Sequence, residues 1–586
     1  MVPVSSHVGS VSQERRMPTI GRLARQLLPL TALFGAQLLA MHGVCASPYA
    51  DLPLTVPAIQ QWIRSSGVYV APANLRILIS ISDGTPASDA AAAFADDLKA
   101  LPHQAFVIAE DMPIPQPGDI QLSLDRSLTL PGYDGYIMVV GGYMRITAAT
   151  ADGLFNGTRS ALQLIYQGET TAAGTIRDWA IYPQRGMMLD IARKYFTPDM
   201  IAQQIRELSY LKMNTLHLHF SDDEGFGIES KHQDIAYTKN GHLLQAQVRA
   251  LVALAGRYHV LVIPEIDMPG HMGAVLRGSN RQFRLRNRMH ISNASVLDIT
   301  NCEAIQYAES LIAEYEDLFP GPVWDLGVDE VLPPWSVPWY PQLAKEAANI
   351  YGRPANDKDA VQLFVNVIHD FLSKPPTPRH VRIWNDQIGG GIVDAETTDL
   401  TVDWWTDFSL FSQWHALSPA ALADRGYPIV NSSYRPTYYV TGGPFGPIHA
   451  NMQQTYEHWT VGQFHGILPW GRDADATVRR DGTRAQLTPL GTMLNVWNDH
   501  PNFQRAPHVT HEIIEPLSVL AQKAWGSEQP TVSFAQLQAQ IAAVGNAPSP
   551  PLVDDPTIGE KSRTPWPATK DCLKQGVLAA SASRGP

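Results

Sequence analysis

Cysteine is nearly missing from this chain of 586 residues, with three copies, at 45, 302 and 572. So few exclude a disulfide framework, and no Cys sits in a nucleophile motif. No phosphate-cradling glycine loop is present either. Positive charge does not dominate: 44 Lys and Arg face 56 Asp and Glu, a formal charge of -12, which argues against a nucleic-acid partner. Beyond residue 46 no run approaches the 18 or so apolar residues of a membrane-spanning helix. What is abundant is Pro (45), Gly (43), Tyr (20) and Trp (14), the mark of a loop-rich, aromatic-rich globular protein.

The first 46 residues are expected to be an export signal. Arg22 and Arg25 precede an apolar run from Leu27 to Ala40, and Val44-Cys45-Ala46 places small residues for cleavage after Ala46. The mature protein is then expected in the periplasm or secreted, with no membrane span. Cys302 and Cys572 remain as one candidate pair, and their spacing leaves open whether they meet.

Residues 48–180 read as a small α+β domain, with strand patterns at 75–81 and 135–140 and helical spacing at 87–101 and 151–166. From 181 to 526 the pattern becomes strand, loop, helix, repeated. The strands expected are 186–192, 215–220, 260–266, 323–327, 381–384, 400–405, 428–432 and 491–497. Thr197 and Pro198 suit the cap and first turn of the first helix, with Ile201, Ile205, Leu208 and Leu211 as its apolar stripe. Eight strands alternating with helices over this length predict an α/β fold, a (β/α)8 TIM barrel preceded by the small domain. The remainder, 527–586, is expected to hold one helix at 534–544 and a disordered tail.

Such barrels carry their chemistry at the C-terminal ends of the strands. In order, those ends offer Arg185 and Asp190, Asp222, Glu265 with His271, Asp329 with Glu330, Trp384, Trp404 with Trp405, the tyrosines 434, 438 and 439, and Trp497 with Asp499. Carboxylates set among Trp and Tyr point to a sugar: rings stack on pyranose faces, and carboxylates grip hydroxyls and exchange protons. Asp329 and Glu330 are neighbours on a strand end, so they face opposite sides and should not share one task. The pair His217 and His219 puts two imidazoles on one strand face, as metal-dependent amidohydrolases do. There the pair follows the first strand and further His and Lys ligands come later. Here it lies on the second strand, and the later ends offer Trp and Asp, so core packing is expected, with no metal and no cofactor.

At this point the motifs resemble a family. Arg-Gly-Met-Met-Leu-Asp-Ile-Ala-Arg (185–193), Leu-His-Leu-His-Phe-Ser-Asp-Asp-Glu (216–224), Pro-Glu-Ile-Asp-Met-Pro-Gly-His (264–271) and Gly-Val-Asp-Glu (327–330) are similar, in this order, to motifs of family 20 glycoside hydrolases, the β-N-acetylhexosaminidases. Residues 153–165 likewise resemble part of the small domain that these enzymes carry. The resemblance implies a hydrolase that removes β-linked N-acetylhexosamine from a glycan. In this family the substrate's own 2-acetamido oxygen attacks the anomeric carbon and forms an oxazolinium intermediate.

Carried over residue by residue, Glu330 is the general acid, needing a raised pKa that an apolar site would supply. Asp329 orients the acetamido N–H, and Tyr438 binds the acetamido oxygen. Trp384, Trp405 and Trp497 wall the pocket, while Trp404 is expected in the core. Arg185 and Asp499 bind ring hydroxyls, and Asp222 with His271 supports the acid. Two features depart from the commoner pattern. Val328 stands where Gly is usual, making the acid-bearing turn bulkier. Residues 223–230 and 382–386 are closer to dispersin-type members, which cut β-1,6-linked poly-N-acetylglucosamine. A chito-oligosaccharide or glycoconjugate hexosaminidase stays open, as does a catalytically silent glycan-binding relative.

Overall fold

A computed structural model of the chain describes residues 53–333, 335–406, 416–443, 446–466, 487–526, 532–549 and 572–573. The expected signal, and most of the expected tail, lie outside these residues.

Among the described residues eight parallel strands close into a barrel: Gln184–Asp190, Thr215–His219, Leu261–Glu265, Val323–Asp325, His380–Trp384, Leu400–Trp404, Ile429–Asn431 and Gly491–Trp497. The eighth pairs with both the seventh (Val430 opposite Gly491) and the first (Met188 opposite Asn495), which shuts the ring. Each lies within a few residues of its expected place. The first helix, Pro198–Tyr210, starts as its sequence requires, Met200 N–H donating to Thr197 Oγ1 at 3.3 Å with Ile201, Ile205 and Leu208 buried.

One element was not legible. The Tyr-rich stretch after the seventh strand forms an added strand, Tyr438–Gly443, parallel to the eighth (Tyr438 opposite Asn495) and continued by Gly446–His449 as a hairpin. Too short to alternate visibly between turn residues, it reads in the sequence as loop. In space it fixes the orientation of Tyr438.

The small domain is a seven-stranded mixed sheet with the helices Gly84–Lys99 and Ala151–Tyr166. The second helix sits hard against the sheet. A Cβ at Gly153 would stand 2.3 Å from Gly135 O, and one at Gly157 2.3 Å from Ile146 Cγ2, so both positions need glycine.

A buried polar layer joins this domain to the barrel. Lys212 Nζ meets Asp178 Oδ2 at 2.8 Å; the same carboxylate accepts from Tyr136 Oη at 2.8 Å and, through Oδ1, from Trp525 Nε1 at 3.0 Å. Arg185 belongs to this layer, which corrects its expected role in sugar binding. Its guanidinium donates to Tyr182 O (2.7 Å), Lys212 O (3.0 Å) and Asp134 Oδ2 (2.9 Å) and lies over Trp525. The physical reason is strand polarity. Arg185 begins the first strand, at the end of the barrel opposite the loops that carry chemistry.

Candidate active site

The other end of that strand carries the arginine that does reach the site. Asp190 ends the strand and accepts from Ala192 N and Arg193 N, both at 3.0 Å, so the chain turns back over the barrel mouth. Arg193 lies above the Trp497 ring and is ringed by carboxylates: Asp222 (2.6 Å), Asp190 (3.1 Å), Glu224 (3.3 Å) and, at longer range, Asp499 (3.9 Å). Asp499 itself is 49% exposed at the rim.

From Asp222 a chain of charge runs toward the paired acids. Burial alone would raise the Asp222 carboxyl, but Arg193, His271 and His219 together hold it well below the usual range. Its Oδ1 lies 3.3 Å from His271 Nδ1. On the far side of that ring, His271 Nε2 stands 3.7 Å from Glu330 Oε2 and 3.9 Å from Asp329 Oδ2. Burial opposes charge on His271, but Asp222 and Asp267 outweigh it and raise its pKa well above the ordinary value. The imidazole is therefore held protonated between its support and the acid pair.

The turn bearing the acids is strained. Gly327, Val328 and Glu330 all have positive φ (68°, 71° and 46°), as does His271 (50°). For the branched Val328 this is a true outlier. A Cβ at Gly327 would fall 2.1 Å from Asp267 Oδ1, so that position admits only glycine. Two carboxylates pin the turn: Val328 N–H donates to Asp267 Oδ1 (3.0 Å) and Glu330 N–H to Asp386 Oδ2 (2.9 Å). Val328 makes the turn bulkier, as expected from its size, but its side chain is buried in the main hydrophobic core.

The two acids occupy different surroundings. Asp329 is raised to about 7, chiefly by burial and by the neighbouring Asp386 and Glu330 charges, against the pull of His271. Its Oδ1 is buried with no hydrogen-bond partner among the described residues. Glu330 is instead 42% exposed, so the apolar surroundings expected for it are not supplied by the protein alone.

Beside the acids a separate aromatic cluster forms: Met188, Trp384, Trp405, Tyr438, Val440 and Trp497, with Tyr434 at its edge. Trp405 and Tyr438 lie nearly parallel, 6.2 Å apart between centroids, and Trp384 leans on Trp497 at 5.8 Å. Trp384 Nε1 is tied to Glu265 (2.9 Å) and Trp405 Nε1 to Asp386 (3.2 Å), which locks both indoles. Trp404 packs in the core, its Nε1 donating to Leu417 O. Strand alternation separates the tyrosines: Tyr438 joins the cluster, while Tyr439 turns away and donates to Glu512 at 2.6 Å.

The expected residues Asp222, His271, Asp329, Glu330, Trp384, Trp405, Tyr438, Trp497 and Asp499 thus converge at one barrel mouth, and Arg185 does not. Sequence reasoning missed Arg193, Asp267 and Asp386. Arg193 and Asp267 stand within the motifs given above and Asp386 within the stretch 382–386, and strand direction favours Arg193 over Arg185.

His217 and His219 bracket Glu265 below the pocket, with His217 Nε2 at 2.9 Å and His219 Nδ1 at 2.8 Å from its Oε2. Of the acidic clusters that could hold a metal, His217 with Asp325 and Asp403 already has a fixed cation, the Arg382 guanidinium, paired with Asp403 and 3.6 Å from Asp325. Among the described residues the other two such clusters both include His271, which stands between Asp222 and the acid pair.

Comparison with known proteins agrees with this geometry. Residues 182–528 match the glycosyl hydrolase family 20 catalytic domain, and residues 53–179 match domain 2 of the same family. A lacto-N-biosidase of Bifidobacterium bifidum is 27% identical over 503 residues, covering 84% of this chain and 42% of that protein. β-Hexosaminidase subunit A1 of Dictyostelium discoideum is 27% identical over 361 residues, covering 58% of this chain and 61% of its own length. The chain therefore spans less than two thirds of either relative. Among solved structures, a β-N-acetylhexosaminidase from Streptomyces coelicolor superposes with a TM-score of 0.64 at 20% identity, over 84% of this chain and 95% of that one. With matching models over both domains and a closed barrel carrying its acids on the fourth strand end, this chain belongs to glycosyl hydrolase family 20.

Proposed function

We propose that the protein is an exported β-N-acetylhexosaminidase that hydrolyses terminal β-linked N-acetylhexosamine by substrate-assisted, retaining catalysis. The observation that carries this reading is the pairing of an enclosed Asp329 with an open Glu330, backed by His271 and set beside an aromatic pocket. The Asp329 side chain keeps 14% of its surface open, and there the N–H of a bound 2-acetamido group donates to the carboxylate. The acetamido oxygen then faces the anomeric carbon, with Tyr438 positioned to hold it. Glu330 protonates the departing glycosidic oxygen as that carbon–oxygen bond breaks and the acetamido oxygen bonds in its place.

The protonated His271, 3.7 Å from Glu330, stabilises the carboxylate left behind. The same carboxylate then takes a proton from water, which attacks the anomeric carbon and reopens the oxazolinium. A bound sugar covers the exposed Glu330 and supplies the desolvation the protein lacks. Arg193, in place of Arg185, donates to ring hydroxyls, and the Asp499 carboxylate at the rim accepts from them.

Export is supported by the Cys302–Cys572 disulfide, since such bonds persist in oxidising compartments. For the glycan we favour β-1,6-linked poly-N-acetylglucosamine, on the sequence of residues 223–230 and 382–386. Chitobiose and a lacto-N-bioside are the competing arms of the substrate panel that decides it.

The basic test is release of 4-nitrophenol from its β-N-acetylglucosaminide. Wild type should turn over. Glu330→Gln should lose on the order of 10²–10⁴-fold in kcat, and less with this good leaving group than with a sugar. Equal rates in the two proteins would remove Glu330 from its role, and no turnover of any acetamido sugar by wild type would mark a glycan binder.

A further inference from the structure

Two indoles near the acid are left in water. Trp335 is 75% exposed and Trp339 41%, whereas the pocket indoles are almost wholly buried. Large aromatic rings in solvent call for a partner. The residues beside them are tied: Ser336 N–H and Oγ both donate to Pro333 O, and Trp339 N–H donates to Ser336 O. A hairpin, Arg284–Arg286 with Ser292–Leu297, buttresses this segment. Arg288 N–H donates to Trp339 O at 2.8 Å, and the Arg288 guanidinium lies 4.3 Å above the Trp339 ring.

Both segments are anchored to the acid site. The hairpin hydrogen-bonds the His271 loop (Met272 N–H to Ser295 O and Leu297 N–H to Pro269 O, each 2.9 Å), and the turn continues directly from Glu330. Five extended residues reach at most about 18 Å, so Trp335 stands within the first few sugars of Glu330. We propose that Trp335 and Trp339, with Arg288, form the leaving-group subsite, which binds the sugars of a β-linked N-acetylglucosamine oligosaccharide on the far side of the scissile bond. The terminal sugar fills the buried aromatic pocket. The bond to be cut meets Glu330 at its exposed edge, and the rest of the glycan must pass outward over the chain that follows Glu330. Pyranose faces stack on the two indoles, and the guanidinium on Trp339 donates to hydroxyl or acetamido oxygens.

This subsite rests on the glycosidase reading, and the test separates the two. Wild type, Trp335→Ala, Trp339→Ala and Trp335→Phe are compared on a tetrasaccharide of β-linked N-acetylglucosamine and on N-acetylglucosaminyl fluoride, whose leaving group is a single atom. The alanine variants should lose about tenfold in kcat/KM on the tetrasaccharide, about 1.4 kcal/mol by the usual conversion. They should stay within about twofold of wild type on the fluoride, and Trp335→Phe should recover most of the loss. Parallel changes on both substrates, or none on either, overturn the subsite while leaving the glycosidase intact. Failure of wild type to cleave either substrate overturns both.

Discussion

At the residue scale, two adjacent acids differ because their neighbours differ. Asp329 is enclosed, crowded by Asp386 and Glu330, and lifted to about 7. Glu330 is open, with a cationic imidazole at its back. An acceptor for the acetamido N–H works best as a carboxylate, and a carboxyl raised to about 7 is ionised only above that pH. The account therefore predicts that kcat/KM on the aryl glycoside rises through an acid limb near pH 7. Asp386→Asn removes a charge that raises Asp329 and should move that limb to lower pH. A limb that stays in place in Asp386→Asn would contradict the assignment. Val328 is informative in the opposite sense: its positive φ is real strain, but its side chain packs in the core and not in the aromatic cluster.

At the scale of elements, the first strand carries one arginine at each end, and only one can serve the site. Arg185 is enclosed in the domain joint, and removing one partner of a buried ion pair costs about 3–5 kcal/mol. Arg185→Ala should lower the thermal midpoint and leave KM near wild type, because the joint is remote from the barrel mouth. Arg193→Ala should raise KM strongly, since it leaves Asp190, Asp222 and Asp499 without their shared cation. A KM effect from Arg185→Ala exceeding that from Arg193→Ala would reverse the correction.

The same contrast shows what was legible in sequence. Strand and helix periodicity located the barrel, and the motifs located Asp329, Glu330, Asp222 and His271. The assignment of Arg185 rests on its motif alone, although strand order, with Arg185 before 186–192 and Arg193 after it, favours Arg193. Periodicity does not reveal tertiary hydrogen bonds, so Asp267 and Asp386, which pin the acid-bearing turn through its backbone N–H groups, passed unnoticed. The strand that aims Tyr438 was hidden for a related reason: its pairing with the eighth strand is long-range.

Across the whole molecule, several buried groups tie stability to pH in one direction. Burial raises Glu207 to about 7 and Glu396 to about 8. His219 reaches about 10, where Glu265 and Asp222 outweigh the cost of burying its charge. Each group binds its proton more tightly folded than unfolded, so each contributes stability at low pH that is lost as pH rises through the folded value. The two glutamates lose theirs between about pH 4.5 and 8, and His219 between about 6.5 and 10. Thermal unfolding should accordingly show a lower midpoint at pH 9 than at pH 6, and Glu396→Gln should flatten that dependence. A midpoint that climbs between pH 6 and 9 would show that other groups dominate.

The central claim is that Asp329 and Glu330 serve a nucleophile belonging to the substrate. It is tested most directly with 4-nitrophenyl β-N-acetylglucosaminides whose acetyl group carries zero, one, two or three fluorines. Fluorine withdraws electrons from the acetamido oxygen while leaving the ring and leaving group unchanged. The account predicts that kcat/KM falls steeply with each fluorine added; a rate independent of fluorination would mean that the protein or a water molecule, and not the acetamido oxygen, attacks the sugar.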